Sequence, residues 1–139
     1  MMRATHNPRR RPRRTSSRIL ASGVGMNASS RPSSLLALDL MLEAIEALRP
    51  VLEAIEARDR DLGNQLRRAA SSVALNLGEA QGVSGGNRVQ RRRTALGSLY
   101  ESRTALRVAR AFGYIDAETA AGPLAKLDRV GGLIYGLLR

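Results

Sequence analysis

From about Leu35 to Arg139 the apolar residues recur at steps of three and four, the spacing that gathers them on one face of an α-helix. Leu38, Leu42, Ile45, Leu48, Leu52 and Ile55 form the first stripe, with Glu43, Glu46, Glu53 and Glu56 mostly on the other side. Ser33 or Ser34 can cap the free N–H groups at its start. Pro50 interrupts the stripe without shifting its phase, so the spacing predicts a kinked helix to about Arg58, a break before Pro50 being the alternative. Asp59-Arg60-Asp61 reads as a turn in which an aspartate caps the second helix. That helix carries the stripe Leu62, Leu66, Ala69, Val73, Leu77 and Ala80. Gln81-Gly82 closes it, with the glycine expected in the left-handed conformation. Ser84-Gly85-Gly86-Asn87 reads as a flexible loop and cap for a third helix, from about Asn87 to Phe112, that stops at Gly113. Asp116 then caps a fourth helix, Glu118 suits the positive end of its dipole, and Leu124, Leu127, Gly131, Ile134 and Leu138 form its stripe.

Four amphipathic helices with short connections fold most simply as an all-α, up-down-up-down antiparallel four-helix bundle over residues 35–139. On the third helix Ala95, Ser98, Ser102, Ala105 and Ala109 make a face of small residues that lets a neighbouring backbone approach closely. Leu99, Leu106 and Phe112 are expected to fill its flanks.

Composition narrows the chemistry. Hydrophobic residues are 43% and aromatics only 3%, so the core is expected from Leu, Ile, Val and Ala, which suits helices better than strands. There is no cysteine, which removes disulfides, thiolate metal sites and cysteine nucleophiles and implies no oxidising compartment. The single histidine, His6, lies outside the helical region, so histidine acid–base chemistry is excluded from the bundle. The Glu-x-x-His pairs of a di-iron bundle do not occur, and Gly85-Gly86 is too little for a phosphate-cradling loop. No enzyme, metal or cofactor is expected. No apolar run reaches the roughly 18 residues of a membrane span, and a cytoplasmic protein is expected.

The net charge of +11 is unevenly placed. Residues 1–34 hold eight arginines and no acid, whereas residues 35–139 hold 15 basic and 12 acidic residues. The first 34 residues, with the run Arg9-Arg10-Arg11-Pro12-Arg13-Arg14, read as a disordered arm. Three explanations stay open for it: a nucleic-acid-binding arm, a targeting segment, or a misassigned start with Met26 opening the native chain. Lys126 is the only lysine, a bias that a GC-rich genome also produces.

Two polar patterns are candidate sites. Gln65, Ser72, Asn76 and Glu79 form a stripe beside the apolar face of the second helix, where Ser98, Glu101 or an arginine could satisfy them. This is either a network that fixes register or a binding site. Basic residues gather where helices two and three should lie side by side: Arg67, Arg68, Arg88, Arg91, Arg92 and Arg93. Arg92, Arg103, Arg107 and Arg110 share one flank of helix three. Such a surface can track a phosphate backbone, or it can be a solvated face paired with the glutamates of helix one. Few aromatics mean recognition by charge and shape.

The segments Gln65-Leu66-Arg67-Arg68-Ala69-Ala70-Ser71-Ser72-Val73 to Asn76-Leu77-Gly78-Glu79, Ala95-Leu96-Gly97-Ser98-Leu99-Tyr100-Glu101 and Gly113-Tyr114-Ile115 resemble a bacterial family. These are four-helix bundle proteins related to those encoded in intervening sequences of large-subunit ribosomal RNA genes. The chain is similar also to the accessory variability protein of diversity-generating retroelements. The resemblance spans about residues 36–139. It implies a ring-like homopentamer with a largely unassigned role and, for the retroelement branch, binding to a reverse transcriptase and to nucleic acid. The family's polar positions correspond to Gln65, Arg67 or Arg68, Ser72, Asn76, Glu79, Ser98 and Glu101. One departure is Ala80 after Glu79, where the family usually has glycine. Nucleic-acid binding by an oligomer is therefore the leading expectation, and a protein-interaction scaffold the alternative.

Overall fold

The computed structural model describes residues 32–139, and the arm and its possible Met26 start lie outside them. Within that unit stand four helices: α1 (Ser33–Arg58), α2 (Arg60–Gln81), α3 (Gly85–Ala111) and α4 (Ala117–Leu137). Each packs on its neighbours in the order α1, α2, α3, α4 and back to α1, with α2 against α3 the most extensive contact. That is the up-down-up-down bundle.

The helix ends follow side-chain chemistry, with three departures from expectation. Asp59 alone joins α1 to α2: its backbone N–H donates to the Ile55 carbonyl at 2.7 Å, and its Oδ1 accepts the Leu62 N–H at 3.0 Å. Asp116 caps α4 in the same way, with Oδ1 2.7 Å from the Thr119 nitrogen. At the end of α3, Gly113 takes φ +76°, its N–H donates to the Arg110 carbonyl at 2.9 Å, and the Tyr114 N–H donates to the Ala109 carbonyl at 2.9 Å. That pair of bonds is a Schellman closure, which needs a residue tolerant of positive φ. The departures are at the other ends. Helix α1 begins at Ser33 with Pro32 in the capping position, and no serine caps it. Gly82 is right-handed (φ −92°), and the positive φ falls instead on Gly85, so α3 starts two residues before Asn87. Helix α1 runs through Pro50 unbroken.

The core is aliphatic, as the composition requires, with Met41 added. The buried faces of two helices are rotated from the expected stripes. In α1 the face is Ala37, Met41, Ala44, Leu48, Val51, Leu52 and Ile55, while Leu42 stands 47% exposed. In α4 it is Ala120, Pro123, Leu127, Val130 and Ile134, with Leu124, Gly131 and Leu138 half-buried beside it. Phe112 is exposed, stacked on Tyr114 with centroids 5.4 Å apart, and does not fill the flank of α3.

Candidate nucleic-acid interface

Three polar rungs cross from α2 to α3. Gln65 Nε2 donates to Glu101 Oε1 at 3.4 Å, Ser72 and Ser98 share a hydroxyl hydrogen bond at 2.7 Å, and Arg91 pairs with Glu79 at 2.8 Å. Asn76 finds its partners within its own helix, donating to the Ser72 carbonyl at 2.9 Å and to Ser72 Oγ at 3.2 Å. The six polar residues thus come together in one seam. Antiparallel helices have few features that forbid sliding by a turn, and specific hydroxyl and carboxamide rungs supply them. Ser102, fully buried on the small-residue face of α3, donates to the Ser98 carbonyl at 2.8 Å and leaves no unsatisfied hydroxyl.

The nine candidate arginines do not form one cluster. Arg67 turns toward α1 and pairs with Glu56. Arg88 folds back under α2, where its Nε donates to the carbonyls of Val83 at 2.8 Å and Ala80 at 3.2 Å. The Ala80 contact is a C-terminal cap, since the last carbonyls of a helix lack intrahelical donors and a cation suits the negative end of the dipole, while the Val83 contact holds the loop that follows. Arg88 is therefore part of the scaffold. Arg103 faces α4, its Nε 2.8 Å from Asp128 Oδ1, an ion pair by distance but without an aligned hydrogen bond. Arg68, Arg92, Arg93, Arg107 and Arg110 form no ion pair among the described residues.

Charge is segregated across the bundle. Helix α3 holds seven arginines against Glu101 alone, whereas α1 holds five acids against two arginines. These two helices stand on the diagonal, so a basic side and an acidic side face opposite ways. An open groove of about 420 Å³ follows α2, lined by Arg68, Ser72, Leu75, Asn76, Glu79 and Arg91. A second concavity of about 280 Å³ lies at Arg107 and Arg110. Among the described residues no cluster of acidic residues and histidines is placed to hold a metal, and no helix is long and apolar enough to cross a membrane.

Where the α1–α2 and α3–α4 turns meet, Asp59 does double duty. Its Oδ2 accepts the Tyr114 hydroxyl at 3.2 Å while Oδ1 caps α2, tying the α1–α2 turn to the α3–α4 turn. Burial, the Asp59 charge and that hydrogen bond raise the Tyr114 pKa above the ordinary phenol value, opposed by the nearby Arg58. The Thr119 hydrogen bonds hold the Asp116 carboxyl below its ordinary value.

Residues 37–136 match the family model of the 23S rRNA-intervening sequence protein. The chain belongs to that family. Among solved structures it is similar to a protein of unknown function from the S23 ribosomal protein family of Bacteroides thetaiotaomicron VPI-5482. The TM-score is 0.67 at 17% identity, over 74% of this chain and 98% of that one. At that identity the likeness speaks for the fold, which both share. No curated protein gives a significant match. Family membership accounts for the bundle and leaves the arginine face to be explained from its own chemistry.

Two things escaped the sequence pattern. Arg88's capping role depends on the chain doubling back at Val83, which no spacing announces. The Asp128 partner of Arg103 follows only from the pairing of α3 with α4.

Proposed function

We propose that this chain is a non-catalytic, oligomeric, cytoplasmic protein that binds nucleic acid through the arginine face of α3. The observation that carries this reading is the charge separation: Arg92, Arg93, Arg107 and Arg110 have no acidic partner among the described residues and lie on the side of the bundle away from acidic α1. Unpaired guanidinium groups along one helix neutralise phosphates and release their counterions, so affinity is sequence-tolerant and falls with salt. Assembly as a homopentamer, through the apolar residues left outside the bundle, belongs to the same reading. So does kinship with the retroelement accessory branch, which makes a reverse transcriptase the protein partner to seek. Titration of labelled RNA and DNA by fluorescence anisotropy tests it: micromolar or tighter binding at ~50 mM salt that weakens steeply as salt rises supports it, and no binding there overturns it.

A protein-interaction scaffold is the second reading, favoured by Leu42 (47% exposed) and Leu75 (64% exposed) on the outer faces of α1 and α2. It predicts a protein partner whose capture survives replacement of the α3 arginines and is lost on replacing Leu42 and Leu75 with serine.

A further inference from the structure

The outermost line of α3 carries a second feature besides charge. Tyr100 is 50% exposed, its hydroxyl bonded to no described residue, and Arg93 and Arg107 stand seven residues before and after it, both exposed. Seven residues is nearly two turns, so the three side chains fall within about 40° of one line, at intervals of about 10.5 Å. Neither arginine has an ion-pair partner among the described residues. Between Arg93 and Tyr100, Gly97 is exposed, and a Cβ added there would meet nothing within 4 Å. With glycine at 97, no side chain stands on the helix surface one turn before Tyr100 on that side. An exposed glycine inside a helix is unfavourable relative to alanine, and no close packing requires it at this position.

A half-exposed aromatic ring with an open side, flanked at equal intervals by unpaired cations, has the chemistry of a stacking platform for a base whose neighbouring phosphates reach the arginines. A duplex does not offer that contact, since its bases are already stacked and paired and present only their edges. We propose that the outer line Arg93–Tyr100–Arg107 selects single-stranded nucleic acid, one base stacking on Tyr100 while the flanking phosphates meet Arg93 and Arg107. The proposal rests on the nucleic-acid reading above and names its substrate class. The 2′-hydroxyl plays no part in it, so single-stranded RNA and DNA are both substrates.

The test uses the full chain and labelled single strands of about twelve nucleotides, oligouridylate and oligothymidylate, beside a duplex of the same length. The parent should bind the single strands more tightly than the duplex. Tyr100→Ala should weaken single-strand binding by about five- to tenfold, the lower end for loss of one stacked base, and leave the duplex within twofold. Tyr100→Phe, which keeps the ring, should stay within twofold of the parent on both. Gly97→Leu gives a second readout: it should raise thermal stability by improving the helix while covering the ring and lowering single-strand affinity severalfold. Circular dichroism shows whether each variant keeps its helices. Equal affinity of Tyr100→Ala and parent for the single strands, or a duplex preference in the parent, overturns the proposal. If Arg93→Ala and Arg107→Ala still weaken all binding in that case, the broader reading stands and only the single-strand assignment falls. No binding to any oligonucleotide removes both.

Discussion

Asp59→Ala probes the tightest joint in the bundle, because one carboxylate serves two elements there. The substitution removes the α2 cap, worth about 1 kcal/mol at a typical site, of which part is the favourable charge at the helix N-terminus. It also removes the acceptor for the half-buried Tyr114 hydroxyl, a bond with a net worth of about 0.5–1.5 kcal/mol. The expected loss is therefore about 2 kcal/mol, a fall in Tm of roughly 8 °C or more for a domain of this size. Asp59→Asn keeps a capping oxygen but puts an amide NH2 where the phenol's acceptor stood, so it should lose about 1 kcal/mol, chiefly through the Tyr114 contact. Tyr114→Phe should lose about 1 kcal/mol. Urea denaturation followed at 222 nm, at one fixed protein concentration, gives all three values and that of the double variant. The decisive quantity is the coupling between Asp59→Ala and Tyr114→Phe, expected at about 0.5–1 kcal/mol. Strict additivity would mean that the hydroxyl–carboxylate bond adds nothing, and the link between the two turns would have to be abandoned.

Other outcomes follow from single contacts. Arg88→Ala should destabilise by about 1–2 kcal/mol, because a carbonyl at the end of α2 and one in the following loop lose a charged donor, while Arg68→Ala should stay within about 0.5 kcal/mol in the same urea assay. Gly131→Val should destabilise by about 1–3 kcal/mol: even a Cβ there would sit 2.8 Å from Leu99 Cδ2 in the core, so a branched side chain overpacks the α3–α4 contact. Stability should also report two titrations. Asp116 has a lowered folded-state pKa, so its contribution is present above the ordinary carboxylate value near 4 and is lost as pH falls through the folded value; Asp116→Asn should flatten that acid limb. Tyr114 is the reverse case: its raised pKa gives stability that is present below about 10 and is lost as pH rises, and Tyr114→Phe should remove that alkaline dependence.

Much of the fold was written in local chemistry. Asp59, Asp116 and Gly113 end or begin helices because a carboxylate accepts free N–H groups and a glycine tolerates positive φ. Those effects are confined to a few residues and read directly. The centre of a buried face is less local. In α1 both Ala37-Met41-Ala44 and Leu38-Leu42-Ile45 run at helical spacing, and side-chain size alone favours the leucines. The bundle centres on the smaller set, with Leu38 and Ile45 packed at its edge and Leu42 exposed. In α4 Pro123 lies in the buried face although its residue type suggests a break. The positive φ falls on Gly85 rather than Gly82, in a turn that Arg88 holds through Ala80 and Val83, contacts that exist only after the chain has turned. The arginines show the same division: their number was plain, but which remain unpaired depends on where Glu56, Glu79 and Asp128 come to stand.

Salt dependence of binding bears most directly on the claim that the α3 arginine face is a phosphate-binding surface. The full chain and a variant with Arg93, Arg107 and Arg110 replaced by glutamine are titrated with the same single-stranded oligonucleotide from ~50 to ~200 mM salt, so the N-terminal arm is common to both. The logarithm of affinity should fall linearly with the logarithm of salt, and the variant's slope should be shallower by about 0.7 for each phosphate contact removed, about 2 in all. Identical slopes and affinities for the two proteins would place any binding elsewhere on the chain and contradict the assignment.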